Sequence, residues 1–206
     1  MSAQDTDSGK LLNDACYDGN FPSVLSLVSC GASVDCQDKY NGHTPAIRCC
    51  QRGHSEILQF ILEQGANAEL ASSGGWTPLI YAAAFNKYEC VAVLVRYGVV
   101  LDAFTTSSGY TALWIASWNG FLSIVQLLVQ IGAEIEKADY LSRTPIVVAR
   151  QQGHTAVVTY LGIEINWRRR RNYATVLNSL KGAPTRSPTM RVFQCHDVAR
   201  VIGSYL

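Results

Sequence analysis

Apolar and polar positions along the chain repeat with a period of about 33 residues. Each period contains a short segment of small residues, such as Ala82-Ala83-Ala84, and then a segment with a heavier apolar load, such as residues 56–62 and 123–129. A polar segment, for example residues 71–75, leads to the next period. This pattern predicts pairs of short helices, and the small residues allow two helices to approach each other closely.

Three series of residues keep the same period. The first series is a threonine, followed by proline in all but the third case: Thr44, Thr77, Thr111 and Thr144. The second marks the end of the short helix: Gly19, Gly53, Asn86, Gly120 and Gly153. The third marks the end of the longer helix: Gly31, Gly65, Gly98 and Gly132. Threonine caps helices, proline suits the first helical turn, and glycine ends helices in a left-handed turn, so each period predicts one helix-turn-helix unit. One unit cannot bury its apolar face alone, so neighbouring units must stack.

These motifs resemble the ankyrin repeat family. The resemblance rests above all on Gly42-His43-Thr44-Pro45, which is followed by Gly53-His54 and Gly65-Ala66, and on Gly75-Trp76-Thr77-Pro78-Leu79. It implies an all-α solenoid of five ankyrin repeats, built of helix-turn-helix units with short hairpin loops. The expected boundaries are a flexible N-terminus at 1–9, repeats at approximately 10–38, 39–71, 72–104, 105–138 and 139–165, and a basic helical C-terminal cap or tail at 166–206.

One position departs from the family's pattern. The histidine that usually follows Thr-Pro-Leu is replaced in the four units: Ile47, Ile80, Trp114 and Val147. In the family this histidine makes a hydrogen bond that braces a hairpin. Its replacement therefore predicts hairpins that are more mobile than is usual.

The resemblance also implies where a partner protein would bind, because ankyrin proteins bind through hairpin tips and through first helices that line a concave groove. The aromatic residues at these positions are Trp76, Phe85, Phe104, Tyr110, Trp118 and Tyr140. The further candidates at these positions are Tyr40, His43, Arg52 and Arg143. Exposed aromatic and arginine side chains commonly anchor protein interfaces, so the ten residues are the predicted partner-binding site. The alternative is that these aromatic rings pack between hairpins or on neighbouring helices as part of the core.

The sequence signals for a catalytic site or a metal site are weak compared with those for a partner-binding surface. Cys49-Cys50 and His54 have a spacing seen in metal sites, but both cysteines stand where the repeat has small core residues, and a zinc site needs four ligands. Cys195-His196 are adjacent, and adjacent residues on a helix point about 100° apart. The seven cysteines form no disulfide framework and are predicted to be reduced. We therefore predict a non-catalytic, monomeric scaffold or adaptor protein that needs no cofactor and no metal.

The charge of the chain changes near residue 166. Residues 1–165 carry 9 basic and 15 acidic side chains, whereas residues 166–206 carry 8 basic and 1 acidic side chain. In this tail, Asn166 is predicted to cap a new helix, Trp167–Leu180, and residues 192–206 are predicted to form a final helix.

Three interpretations of the tail remain open. It could cap the last repeat. It could dock a second protein, because residues 197–206 are similar to F-box-like segments; the protein would then be the substrate-recognition subunit of a ubiquitin ligase. The run Arg168-Arg169-Arg170-Arg171 could act as a nuclear import signal or contact nucleic acid or acidic lipid, although nucleic acid is not the expected main partner.

The sequence also bears on location. The first ten residues lack the pattern of a signal peptide, and the longest apolar run, Leu79 to Phe85, is far shorter than the roughly 20 residues of a membrane span. We expect a protein of the cytoplasm, present also in the nucleus if the arginine run acts as an import signal.

Overall fold

A computed structural model describes the backbone of residues 3–182 and the side chains of residues 8–171. Within this part of the chain ten helices form five consecutive pairs. They are α1 (Ala3–Asp18), α2 (Phe21–Ser29), α3 (Pro45–Arg52), α4 (Ser55–Glu63), α5 (Pro78–Ala84), α6 (Tyr88–Arg96), α7 (Ala112–Asn119), α8 (Leu122–Gln130), α9 (Pro145–Gln151) and α10 (Thr155–Gly182). Extended pairing in these residues is limited to one isolated bridge, between Phe104 and Thr111. The prediction of an all-α repeat fold is confirmed.

The helices stack in two layers. The first helices of the pairs pack on one another in the order α1, α3, α5, α7 and α9, and the second helices α4, α6 and α8 form the other layer. The core lies between the layers and within each pair. Its largest fully buried side chains include Leu12, Ile47, Leu58, Leu79, Leu94, Leu113, Ile124 and Leu128. Within these two layers, neighbouring units thus cover the apolar faces of the helices, as a solenoid requires.

The predicted start and stop signals set the bounds of the first helices. The side-chain oxygens of Thr44, Thr77 and Thr111 accept the backbone N–H three residues further on, at 3.2, 3.3 and 3.1 Å. Thr144 precedes α9 but makes no such side-chain hydrogen bond. After α5, Asn86 adopts a left-handed conformation with φ of 56°, where the other units have glycine. Asparagine is the non-glycine residue that best tolerates this conformation.

A fourth periodic series, which the sequence analysis did not identify, closes the hairpins. It consists of small polar residues whose backbone N–H donates to the carbonyl of the residue before each cap threonine. The four pairs are Asp38 with His43 (2.9 Å), Ser72 with Trp76 (3.0 Å), Thr105 with Tyr110 (3.0 Å) and Asp139 with Arg143 (3.1 Å). Backbone hydrogen bonds also join successive hairpins, each from an N–H group to a carbonyl of the preceding hairpin. They run from Ser73 to Asn41 (2.9 Å), from Thr106 to Gly74 (3.2 Å) and from Tyr140 to Ser108 (3.1 Å).

The helix bounds differ from the sequence prediction at two places. Helix α1 begins at Ala3, inside the segment that was predicted to be flexible. Packing of α1 on α2 and α3 explains this difference, because it provides tertiary support that local propensity does not report. At the other end, α10 continues through Gly162 and Asn166, so Asn166 does not begin a new helix. The preference of asparagine for a cap is weak beside an uninterrupted ladder of helical hydrogen bonds.

The chain divides into two compact units, Met1–Ile163 and Glu164–Leu206. In the second unit, the guanidinium of Arg171 lies 5.3 Å from the ring centroid of Trp167. The predicted helix at 192–206 and the F-box-like segment lie outside the described residues, and a capping role for the tail stays a prediction. No helix in the described part of the chain has the length and apolar character needed to cross a membrane.

Candidate functional site

The first aromatic group on the first-helix layer, here called the Tyr81 cluster, consists of His43, Trp76, Tyr81 and Phe85. Tyr81 is its centre: its ring centroid lies 5.3 Å from Trp76, 5.3 Å from His43 and 6.4 Å from Phe85, with which it is stacked. The Tyr81 hydroxyl and Nε2 of His43 form a hydrogen bond of 2.8 Å. These contacts hold Tyr81 in place from both neighbouring hairpins.

The second group, here called the Trp114 cluster, lies on the next first helix and consists of Tyr110, Trp114, Trp118 and Arg143. The ring of Trp114 stacks on Tyr110 at 4.0 Å and on Trp118 at 5.4 Å. The guanidinium of Arg143 lies 5.3 Å from the Trp114 ring and 5.9 Å from the Trp118 ring. Cations are attracted to the faces of aromatic rings, so Arg143 extends the stack towards the following hairpin.

Trp114 corrects one prediction about the hairpins. Its indole N–H donates to the backbone carbonyl of Arg143 at 2.9 Å. Trp114 stands at the position of the missing histidine, and its hydrogen bond braces the next hairpin. The expectation that this hydrogen bond would be lost is therefore wrong at Trp114, because an indole N–H can also donate across the gap.

Two further cation–aromatic contacts lie at the N-terminal end of this surface. The guanidinium groups of Arg48 and Arg52, on α3, lie 5.5 and 4.8 Å from the ring of Tyr17 on α1. Arg48 is also paired with Asp38 at 3.1 Å. Burial alone would raise the pKa of Asp38, but hydrogen bonds from the backbone and the charges of His43 and Arg48 lower it below its ordinary value. The carboxylate therefore stays ionised and paired.

The ten predicted site residues have different environments. Phe85 is 50% exposed and Tyr40, at a hairpin tip, is 92% exposed. The partly buried members are Trp76, Tyr110, Trp118 and Arg143. Phe104 and Tyr140 are exposed and pack edge to face on each other at 6.4 Å, while Arg52 is exposed at the end of α3.

His43 does not fit the role of a direct partner contact, because it is only 8% exposed. It lies beneath Tyr81 and next to Asp38, with 3.5 Å between Nδ1 and a carboxylate oxygen. Its position instead supports the Tyr81 ring. Tyr81 and Trp114, which the sequence analysis left out of the site, are central to the two clusters. Comparing the residues three and four positions after each cap threonine would have drawn attention to them.

The metal-like motif has a structural explanation. Cys49 and Cys50 are fully buried in the core. His54 directs Nε2 to the backbone carbonyl of Tyr17 at 3.1 Å, and His154 makes the equivalent contact with the carbonyl of Trp118 at 2.9 Å. These histidines link neighbouring repeats. Among the described residues no three His, Cys, Asp or Glu side chains come together as a possible metal site.

Stacked helix pairs with periodic threonine caps, left-handed turns and hydrogen-bonded hairpins define a class of helical repeat proteins. Comparison with known families agrees: a model for three ankyrin repeat copies matches residues 12–105, and a model for one ankyrin repeat matches residues 108–140. The chain belongs to the ankyrin repeat family. Ankyrin repeats are in general protein-interaction modules.

Several curated proteins are similar to this chain. The Ankyrin repeat and KH domain-containing protein mask-1 of Caenorhabditis elegans is 34% identical over 159 residues, which is 76% of this chain and 6% of that protein. The E3 ubiquitin-protein ligase XBAT33 of Arabidopsis thaliana is 26% identical over 153 residues, or 74% of this chain and 30% of that protein. The human Ankyrin repeat and SOCS box protein 3 is 29% identical over 98 residues, or 47% of this chain and 19% of that protein. The chain thus spans less than a third of the length of each of these relatives.

Proposed function

We propose that this protein is a non-catalytic scaffold or adaptor that binds a partner protein through the concave face formed by its hairpins and first helices. The observation that carries the proposal is the pair of aromatic clusters on consecutive first helices, α5 and α7. Tyr, Trp and Arg are the residues most often found at the energetic centres of protein interfaces.

The internal contacts of the clusters support this role. Tyr81 is fixed by its hydrogen bond to His43 and its stacking on Phe85, and Trp114 is fixed by its hydrogen bond to the Arg143 carbonyl. Side chains that are already ordered in the free protein lose less conformational entropy on binding. Phe85 and Trp118 remain accessible at the ends of the two clusters, so they are the proposed contacts.

The test uses affinity capture followed by quantitative mass spectrometry with the full chain. Phe85→Ala and Trp118→Ala should reduce recovery of the same partner by about 10-fold or more, which corresponds to roughly 1.4 kcal/mol. The matched control is Tyr88→Ala, because Tyr88 is an exposed aromatic residue on the second helix α6, outside the proposed face. Thermal melts must show that each variant is folded. Equal loss of binding in all three variants, or in none, would contradict the proposed surface.

The alternative function is a substrate-recognition subunit of a ubiquitin ligase, in which the repeats choose the target and the tail holds the ligase. The names of two relatives, an E3 ubiquitin-protein ligase and a SOCS box protein, favour it. The same capture experiment tests it with a chain that lacks residues 183–206. Specific loss of ubiquitin-ligase components on truncation would support the alternative, and an unchanged set of partners would support the simple scaffold.

A further inference from the structure

The sequence contains two Asn-Gly pairs, and the fold places them in different surroundings. Asn41-Gly42 lies in the hairpin before α3, and Asn119-Gly120 lies at the end of α7. In an Asn-Gly pair the backbone nitrogen of the glycine can attack the side-chain amide carbon of the asparagine, because glycine has no Cβ to hinder the approach. The rate of this reaction depends on how firmly the surrounding structure holds the two groups.

The side-chain amide of Asn41 is free to react. Asn41 is exposed, and its amide makes no hydrogen bond to any residue between 8 and 171. The backbone N–H of Gly42 makes a single hydrogen bond, to the carbonyl of Asp38 at 3.1 Å. Because the surrounding hairpin is exposed, few buried contacts oppose the opening of this bond. Breaking it frees the nitrogen that attacks.

Asn119 is exposed as well, but α7 holds both of its reacting groups. Its side-chain amide donates to the carbonyl of Ile115 at 3.1 Å, and the N–H of Gly120 donates to the carbonyl of Ser117 at 3.3 Å. Ile115 and Ser117 are buried, so the release of Asn119 requires the last turn of α7 to unwind. We therefore expect the two pairs to react at different rates.

The fold itself requires the glycine of the exposed pair. At Gly42 φ is 68°, and an added Cβ would lie 2.9 Å from Oγ of Ser73 in the next hairpin. A residue with a side chain would be strained at this position. The packing between hairpins thus keeps a reactive Asn-Gly pair at the surface.

We infer that Asn41 is a site of spontaneous covalent modification, at which water converts the asparagine to aspartate and isoaspartate. The Gly42 nitrogen loses its proton to hydroxide and bonds to Cγ of Asn41. The bond from Cγ to the side-chain nitrogen then breaks, and ammonia leaves with a proton from water. Water opens the resulting cyclic imide at either carbonyl carbon: opening at Cγ gives aspartate, and opening at the backbone carbonyl gives isoaspartate, whose main chain runs through the former side chain.

Either product changes the hairpin next to the Tyr81 cluster. Both add a carboxylate near that of Asp38, which already accepts the backbone N–H groups of Tyr40, Asn41 and His43. Isoaspartate also lengthens the main chain by one carbon ahead of His43, which holds Tyr81 through a hydrogen bond of 2.8 Å. The modified chain should therefore bind a partner less well, a consequence that rests on the proposed function.

The experiment incubates the full, folded chain at neutral pH in water enriched in heavy oxygen and digests samples with trypsin in ordinary water over several weeks. Cleavage after Lys39 and Arg48 releases a peptide of residues 40–48, which contains Asn41. Mass spectrometry detects heavy oxygen in the new carboxyl group, and chromatography separates isoaspartate from aspartate. The Asn41 peptide should take up the label several-fold faster than the peptide that contains Asn119, with isoaspartate among its products.

Two comparisons make the result decisive. In guanidinium chloride both pairs should react at similar rates, because the unfolded chain holds neither of them. Asn41→Gln keeps an exposed amide but requires a larger ring, so its peptide should take up no label. Its melting temperature should equal that of the wild-type chain, because the Asn41 amide has no partner among the described residues. Equal labelling of Asn41 and Asn119 in the folded chain, or labelling of the Asn41→Gln peptide, would overturn the inference.

Capture of the partner separates this inference from the proposed function. Lower recovery of the partner by modified chains than by fresh chains would support the effect on the Tyr81 cluster. Labelling at Asn41 with unchanged recovery would support the modification site and refute its link to the proposed surface. Unchanged recovery by Phe85→Ala and Trp118→Ala would count against the proposed function alone, since the labelling does not depend on a partner.

Discussion

The hydrogen bond from the Trp114 indole to the Arg143 carbonyl should stabilise the repeat stack, and Trp114→Phe removes it while keeping an aromatic ring. A neutral hydrogen bond contributes about 1 kcal/mol net. The Arg143 carbonyl also accepts the backbone N–H of Asp139 at 3.1 Å, so the variant leaves no buried acceptor without a partner. The penalty for an unsatisfied group is thereby avoided.

The smaller ring of Trp114→Phe also lowers the free energy of unfolding. Trp114 is 3% exposed and its ring lies between those of Tyr110 and Trp118. A phenyl ring fills less of this space, and the lost contacts should cost about 1–2 kcal/mol. Trp114→Phe should therefore lower the free energy of unfolding by about 2–3 kcal/mol in total.

Urea unfolding followed by far-ultraviolet circular dichroism measures this loss. The control is Trp118→Phe, which removes the same atoms from a partly exposed ring whose indole N–H has no acceptor among the described residues. It should cost about 1 kcal/mol or less. The reasoning would be refuted if the two variants lost equal stability, or if Trp114→Phe matched the wild-type chain. The slope of the free energy of unfolding against urea concentration must be the same in all variants. A changed slope would mean that the repeats no longer unfold together, and the free energies could then not be compared.

Three further measurements follow from the same structure. Burial, and then the charge of Arg48, lower the pKa of His43 below its ordinary value. As the pH falls from 7 to 5, the unfolded chain therefore protonates its histidine before the folded chain does, and the free energy of unfolding should decrease. His43→Gln should reduce this pH dependence of stability in thermal melts. Gly153→Ala should lower the free energy of unfolding by about 1 kcal/mol, because φ is 78° at Gly153 and the added Cβ would meet open space. Gly120→Ala should lower it by about 1–2 kcal/mol more in urea unfolding, because its Cβ would lie 2.5 Å from Nδ1 of His154. The thiol of Cys50, whose pKa burial raises, should react with a thiol reagent far more slowly than the exposed Cys30; equally fast labelling would show that Cys50 is accessible.

The helix ends could be predicted from the sequence because each depends on a few neighbouring residues. Thr44 caps α3 through a contact three residues away, and Asn86 ends α5 through its own backbone conformation. The same local reasoning failed at Asn166, where a good capping residue lies inside a long helix. A cap preference decides a helix end only where the preceding residues leave the helical conformation.

The candidate site was less predictable, because its decisive contacts join different repeats. The hydrogen bond between His43 and Tyr81 spans 38 positions, and that between Trp114 and Arg143 spans 29. Position within the repeat predicted the candidate surface, but the sequence could not show that His43 turns inward to hold Tyr81. Nor could it show that a tryptophan takes over a hydrogen bond usually made by histidine.

The position of a residue relative to the cap threonine separates side chains that hold the stack from side chains that can contact a partner. Three positions after the threonine, Ile47 and Ile80 are fully buried, and Trp114 keeps its ring in the core while its N–H reaches the next hairpin. At the ends of the same helices, Phe85 and Arg52 are exposed. Because changes at such positions leave the core intact, α5 and α7 can carry different aromatic clusters on equivalent helices. The proposed partner contacts are therefore residues that the fold itself leaves unconstrained.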